Sequence, residues 1–305
     1  MTSPTHSQTK SLSLTAFLTL LLIAFMMGTN HVAARLAFNS GLDVATAVLV
    51  RSAVTAMVVA VIVMWAGLSW RMDVKQKRGL LFVGLLIGAQ SQLLYGAVSR
   101  LPVALALIAF NTYPLWTALW ERLVYGKSPD KAVLQALPIL LLGLCLALDV
   151  LGAASGLGAS AHAAQIGAGV AFGVAAGAVF GLSMVVMQHE TIGMDGRVRT
   201  VNTLVIASVM AIAVIGVQGG AHWPQSDTGW YALAALTFLY GTAFTIMFTV
   251  LPKLGVGNNI AIMNAEPVFA LIMAWLVLGQ TIAPSQIAGA LLVVGTVIWL
   301  GLRKR

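Results

Sequence analysis

The chain has 305 residues, 59% of them hydrophobic and 9% charged, with a formal net charge of +8 and a mean hydropathy of +0.94. A soluble domain carries roughly 25% charged residues, so this composition excludes an ordinary soluble fold and points to an integral membrane protein whose first partner is the lipid bilayer. A basic balance would suit nucleic acid in a soluble chain; here Lys and Arg sit in short loops between apolar runs, the pattern of topological signals, and no nucleic-acid partner is expected.

A polar tail, residues 1–11, leads into an apolar run without a small-residue cleavage site, so it reads as preceding a retained first span and not as a signal peptide. A helix crosses a bilayer with about 20 apolar residues. Runs of that kind fall near 12–36, 44–66, 79–99, 102–124, 131–151, 165–188, 197–218, 229–251, 256–279 and 282–302, which predicts an all-α membrane protein of ten transmembrane helices. With the N-terminus inside, the cytoplasmic segments hold fourteen Lys and Arg, against Arg35, Arg51 and Arg100 elsewhere. The bias places both termini in the cytoplasm. The outer loop 152–164 contains no Lys or Arg, as that topology requires. Cys145 is the only cysteine, which excludes a disulfide framework and a cysteine-based metal site.

The chain also repeats itself. A shift of 153 residues superposes Gly28 on Gly181, Gly88 on Gly241, Arg100 on Lys253, Asn111 on Asn264, Pro114 on Pro267 and Gly126 on Gly279. The halves, 12–151 and 165–305, each hold five spans. An odd number of spans turns the second half upside down, giving two inverted five-helix repeats. In secondary transporters of this build the site lies at the midplane between the halves.

FMMGTNHVAARLA in the first span and EPVFALIMAWLVLGQTIAPSQIAGALLVVGTVIW across the last two, set in five-helix halves, resemble the drug/metabolite transporter superfamily. The resemblance covers nearly the whole chain and is to the ten-helix EamA-type exporters, within them to the bacterial aromatic amino-acid exporter branch. It implies a multi-pass carrier of the bacterial inner membrane, exporting small metabolites by alternating access. Amino acids, aromatic or hydrophobic, are the cargo it implies first, with drugs, nucleosides or sugars as the alternative. It implies further a pocket ringed by the first, third, fourth, sixth, eighth and ninth spans. Many relatives carry Glu just after the glycine closing the fourth and ninth spans; here those positions are Lys127 and Gln280, so that glutamate's role does not carry over.

Among residues able to carry chemistry, Glu266 comes first. A charge at a helix centre costs roughly 2.5–3.5 kcal/mol on insertion scales, so such groups face a cavity or a partner. Glu266 can bind a substrate amine, exchange a coupling proton, pair with Arg51 or Arg35, or stay protonated as a structural hydrogen bonder. Pro114 and Pro267 remove helical hydrogen bonds to Phe110 and Met263 and are expected as paired kinks, each one turn after an asparagine, Asn111 or Asn264. In the first span, Asn30 and His31 follow Gly28, and His31 is either a proton carrier or an interhelical hydrogen bonder. Arg51 lies two turns inside the second span, where a substrate carboxylate, Asp43 or Glu266 can meet it. Gln90, Gln92 and Tyr95 in the third span, Tyr113 and Trp116 in the fourth, Ser183 in the sixth and Tyr240 in the eighth complete the candidate cavity lining. Tyr113, Trp116 and Trp120 recur at helical spacing, a face for stacking on a substrate or for packing, with packing preferred for Trp120. Gly169, Gly173, Gly177 and Gly181 form a small-residue ridge for close helix packing.

An intramembrane enzyme is disfavoured: the sequence has no HExxH, no paired aspartates within spans and no serine-nucleophile glycine motif. A channel would suit a ring of like groups, which one glutamate and scattered amides do not make. No Walker A pattern occurs. The expectation is therefore a gradient-driven carrier with a small-molecule substrate, no cofactor and no metal, acting as a monomer or homodimer.

Overall fold

The computed structural model describes residues 14–127, 131–147, 159–250, 265–280 and 283–303. They form α-helices joined by short turns, with no strand among the described residues. In chain order these are α1 (Leu14–Asn39), α2 (Val44–Trp65), α3 (Val74–Val98), α4 (Val103–Phe110), α5 (Tyr113–Tyr125), α6 (Lys131–Ala147), α7 (Ala159–Glu190), α8 (Gly196–Val217), α9 (Asp227–Thr249), α10 (Glu266–Leu278) and α11 (Pro284–Arg303). Among the described residues, seven segments are long and apolar enough to cross a membrane: α1, α2, α3, the α4–α5 pair, most of α7, α8 and α9. The start of the ninth expected span, with Asn264, and most of the outer loop lie outside the described residues.

Local chemistry sets the helix ends. Asp43 accepts from Thr46 N at the start of α2, Asp195 from Arg197 N at α8 and Ser226 from Gly229 N at α9. Asp73 and Gln76 form a reciprocal capping box. That box starts α3 at Val74, five residues before the expected 79, because the polar first turn is capped instead of left as loop. Gly126 and Gly279 close α5 and α10 in the left-handed conformation, with φ of 69° and 63°.

The fourth span corrects one expectation. It is not a continuous helix kinked at Pro114: it ends at Phe110, turns through Asn111 and Thr112, and restarts at Tyr113. Pro114 then stands in the first turn of α5, where its missing N–H has no helical partner to lose. Pro267 occupies the same place in α10.

Helix pairing follows a rule. The extensive contacts are α1 with α9 and α10, α3 with α7 and α8, α5 with α7, α2 with α8 and α9, and α6 with α11. Exchanging α1 with α7, α2 with α8, α3 with α9, α5 with α10 and α6 with α11 maps every one of these pairings onto another or onto itself. The correspondence reaches single atoms. A Cβ on Gly28 would lie 2.9 Å from Ala270 N and 3.3 Å from Phe269 Cβ, while one on Gly181 would lie 2.8 Å from Thr117 N and 3.0 Å from Trp116 Cβ. Those neighbours are themselves 153 residues apart. The remaining ridge glycines of α7 serve the same purpose, with Gly177 set against Phe110 O and Tyr113 N at the α4–α5 break.

The turns gather at two ends of the bundle. At one, Lys75 meets Glu190 at 3.4 Å, Gln76 Nε2 donates to Ile192 O and the Tyr125 hydroxyl donates to Glu190. At the other, Asp43 accepts from His222 N at 2.7 Å, Gln225 N donates to Ser40 O, and Gln280 Oε1 accepts from Val103 N. Between the ends, large apolar side chains such as Met57, Leu142, Val209, Phe238 and Trp275 face outward, the arrangement a lipid environment requires.

Two outcomes test this packing. Gly181→Ala should lose about 1–3 kcal/mol by overpacking against α5 backbone, whereas Gly167→Ala, whose Cβ meets nothing within 4 Å, should gain up to about 1 kcal/mol of helix propensity. Melting curves in detergent that place Gly181→Ala at or above wild type would contradict the close approach. Burial raises the Asp43 carboxyl pKa, but hydrogen bonds from Thr46, Gln218 and His222 outweigh it and hold the value below the ordinary range. A depressed folded-state value contributes stability above the unfolded pKa that is lost as pH falls through the folded one. Asp43→Ala should therefore cost about 1 kcal/mol at neutral pH, and Asp43→Asn, which can still cap but cannot ionise, should flatten the acid side of the stability profile; an unchanged acid limb would refute that role.

Candidate functional site

The site is built where α10 begins. Gly28 of α1 has no side chain, so the backbone of Glu266 comes down on it, with Glu266 O 2.7 Å from where a Cβ would stand. One turn along the same face of α1 is His31, and its Nε2 lies 3.0 Å from Glu266 Oε1. Glu266 is the first residue of α10, where the positive end of the helix dipole favours a carboxylate. His31 is 2% exposed and the Glu266 side chain 23%, so the acid keeps an open side that its partner lacks.

From this pair a connected polar cluster runs across the bundle. The His31 ring meets Tyr95 of α3 edge-on, with centroids 5.7 Å apart. The Tyr95 hydroxyl donates to Asn30 Oδ1 at 3.1 Å. Over the ring of Tyr95 lies the Arg51 guanidinium of α2, 4.3 Å from the centroid, and it lies 4.2 Å from that of Tyr240 on α9. Arg51, Tyr95 and Tyr240 are all buried. Thr29 Oγ1, Asn30 Nδ2, His31 Nδ1, Arg51 Nε, Ser52 Oγ, Thr55 Oγ1 and Gln92 Nε2 are buried without a hydrogen-bond partner in the protein. Buried polar groups are normally paired, so these groups leave hydrogen-bonding capacity available inside the bundle.

Several expected residues thus converge: Asn30, His31, Arg51, Tyr95, Tyr240 and Glu266, with Gln92 one turn from Tyr95. Gln90 is buried on the same helix. Others do different work. Ser183 is fully buried and its hydroxyl donates to Phe180 O of its own helix at 2.7 Å. Tyr113 packs with Phe110 and Phe180, at centroid distances of 5.7 and 5.2 Å. Trp116 rests its Cβ against Gly181, and Trp120 donates Nε1 to Ala178 O at 3.0 Å. On this face of α5, Tyr113 and Trp120 are engaged in helix packing. Asn111 is buried at the α4–α5 break. Arg51 meets neither Asp43, which caps α2, nor Glu266, which pairs with His31. Arg35 donates to Val98 O and Leu101 O at the end of α3, a structural role. A groove of about 580 Å³, lined by Lys75, Arg78, Phe82 and Glu190, opens at the bundle end, away from the cluster.

Sequence reading missed Ser52 and Thr55 on the Arg51 helix, whose i, i+1, i+4 spacing was visible. It also missed that His31 is the partner of Glu266. No local pattern joins residues 235 positions apart, and the 153-residue offset pairs Glu266 with Tyr113 instead.

Comparison with known proteins fits this arrangement. A solved crystal structure, 15% identical in sequence, superposes with a TM-score of 0.61 over 93% of this chain and 95% of its own, a likeness of fold. The threonine/homoserine exporters RhtA of Salmonella typhimurium strains SL1344 and LT2 are each 27% identical over 230 residues, 72% of this chain and 70% of theirs. The pattern defining the EamA-like transporter family matches twice, over residues 14–148 and 167–302. The chain belongs to the EamA-like transporter family of the drug/metabolite transporter superfamily, and is a multi-pass membrane transporter of small molecules.

Proposed function

We propose that the protein exports amino acids across the bacterial inner membrane as a gradient-driven carrier working by alternating access. The observation that carries this reading is the buried chain Glu266–His31–Tyr95–Arg51–Tyr240. It draws on both halves of the sequence and holds a carboxylate and a guanidinium within one cluster, the complement of a zwitterion.

The architecture we propose is ten spans in two inverted halves, 12–151 and 165–305, joined by an outer loop at 152–164, with the 1–11 tail and both termini cytoplasmic. Three things support it: the helix pairings that survive exchange of the halves, the matched contacts of Gly28 and Gly181, and a family pattern that matches twice. α6 and α11 pack on each other through Gly143 and Gly289 and serve as scaffold, in a monomer or homodimer. The break before Tyr113 and the start of α10 at Glu266 are the points about which the halves rock.

Cargo is supported by the relatives, named as exporters of threonine and homoserine. An aromatic preference would draw on Tyr113 and Trp116, and the Tyr113 ring is already engaged by Phe110 and Phe180. We therefore favour small hydroxylated amino acids over aromatic ones. Glu266 receives the substrate ammonium and a proton in alternation, with His31 holding the carboxylate in place between them.

Proteoliposomes holding the purified chain should show saturable, pH-dependent uptake of L-threonine or L-homoserine. Glu266→Gln should fold, keep its contact with His31, and lose at least about tenfold in rate together with the pH dependence. Full pH-dependent transport by that variant would sink the proton role. No saturable signal with any amino acid would sink the cargo assignment.

A further inference from the structure

We propose that Arg51 is a carboxylate anchor, so that the transporter selects its substrates by their anionic end; this rests on reading the polar cluster as the transport site. A guanidinium carries a permanent charge, and a charge buried between membrane helices is costly unless something compensates it. Arg51 is 4% exposed, and among the described residues no carboxylate lies within salt-bridge distance of it. The acids that sequence offered are engaged: Asp43 accepts from Thr46 and His222, and Glu266 faces His31.

What Arg51 has are the rings of Tyr95 and Tyr240. Such contacts recover part of the desolvation cost. They do not use up the fork of N–H donors with which arginine reads a carboxylate, since a ring face accepts no bidentate pair. The rings thus hold the guanidinium in one place beside the Tyr95 hydroxyl, while its Nε–H is buried without a hydrogen-bond partner.

The surroundings carry the same sign. Arg51 Nε, Asn30 Nδ2, Ser52 Oγ, Thr55 Oγ1 and Thr29 Oγ1 are buried without partners, and all of them can donate a hydrogen bond. A set composed of donors and one fixed cation suits a ligand group that only accepts, which is a carboxylate. Tyr95 separates this donor-rich end from Glu266, the acceptor-only end that an ammonium fits. Arg35 also leaves its Nε unpaired, but its Nη1 donates to two backbone carbonyls, Val98 O and Leu101 O, as a structural arginine does.

The test is competition against labelled L-threonine in proteoliposomes of the full chain, using unlabelled threonine, threonine methyl ester and 1-amino-2-propanol. In the wild type, the ester and the amine should compete at least about tenfold more weakly than threonine. Arg51→Gln should raise the half-saturation concentration on the order of tenfold to a hundredfold and erase the preference for the free acid. Arg51→Lys should keep part of both. A folded Arg51→Gln protein that still prefers threonine to its ester overturns the proposal. Should that variant fail to fold, the wild type decides: equal competition by the ester overturns the anchor. Should no amino acid be transported, the cargo assignment has failed and the anchor is tested with L-lactate and pyruvate against lactamide. Stabilisation of the wild type against heat by either acid, and not by the amide, supports the anchor; no acid-specific effect overturns it.

Discussion

The approach of α10 to α1 at Gly28 is the contact on which the rest of the site depends. Two helices come close only where one of them has no side chain, and here the α10 backbone occupies the space a Cβ would take. That depth places Glu266 opposite His31 and lets a carboxylate enter a nearly closed interior with a partner 3.0 Å away. Without the glycine, the acid would stand off from α1 unpaired, in surroundings where an unpaired charge costs several kcal/mol. The dipole of α10 acts in the same direction, because the helix starts at the acid.

The same contact exists a second time with different chemistry. Gly181 receives α5 as Gly28 receives α10, yet the residue matching Glu266 is Tyr113, and the residues matching Asn30, His31, Arg51 and Tyr95 are Ser183, Met184, Leu204 and Phe248. Where those side chains are described, the second copy is closed by rings: Tyr113, Phe110 and Phe180 lie within 5.7 Å of one another by centroid. Ser183 turns its hydroxyl back on its own helix. Backbone packing is shared between the copies, while charge is confined to one. The packing is thus symmetric, while the cost of burying charge falls on one copy only.

How much of this could be read beforehand follows from which forces are local. Spans are written in runs of apolar residues, and the 153-residue offset is written in glycines and prolines, since close approach and helix starts each demand one residue type. Both were legible. Whether Pro114 bends a helix or begins one was not, because proline fits the first turn of a new helix as readily as it kinks an old one; Asn111 and Thr112, which make the turn, carry no stronger signal. Glu266 and His31 were each visible as polar residues in apolar spans, but their pairing depends on a contact between the first and ninth spans that no spacing encodes. For Arg51 the sequence offered Asp43 and Glu266 as partners by charge alone. The fold brought two tyrosine rings instead, and rings leave no charge pattern to read.

Helix breaks make such a site workable in a bilayer. An uninterrupted helix satisfies its own backbone and presents side chains only, whereas a restart at mid-span turns free N–H groups and a positive dipole end toward the interior. At α5 that end faces aromatic side chains and α7 backbone; at α10 it faces a carboxylate and a histidine. The two helix starts therefore differ in what they offer a passing solute, although proline and glycine place them alike. A solute that engages Glu266 interacts with the start of α10 directly, and through His31 with α1, so its binding energy acts on the junction where the two halves of the chain meet. If Glu266 binds the solute as proposed, coupling between occupancy and helix position needs no relay, because α10 begins at that residue.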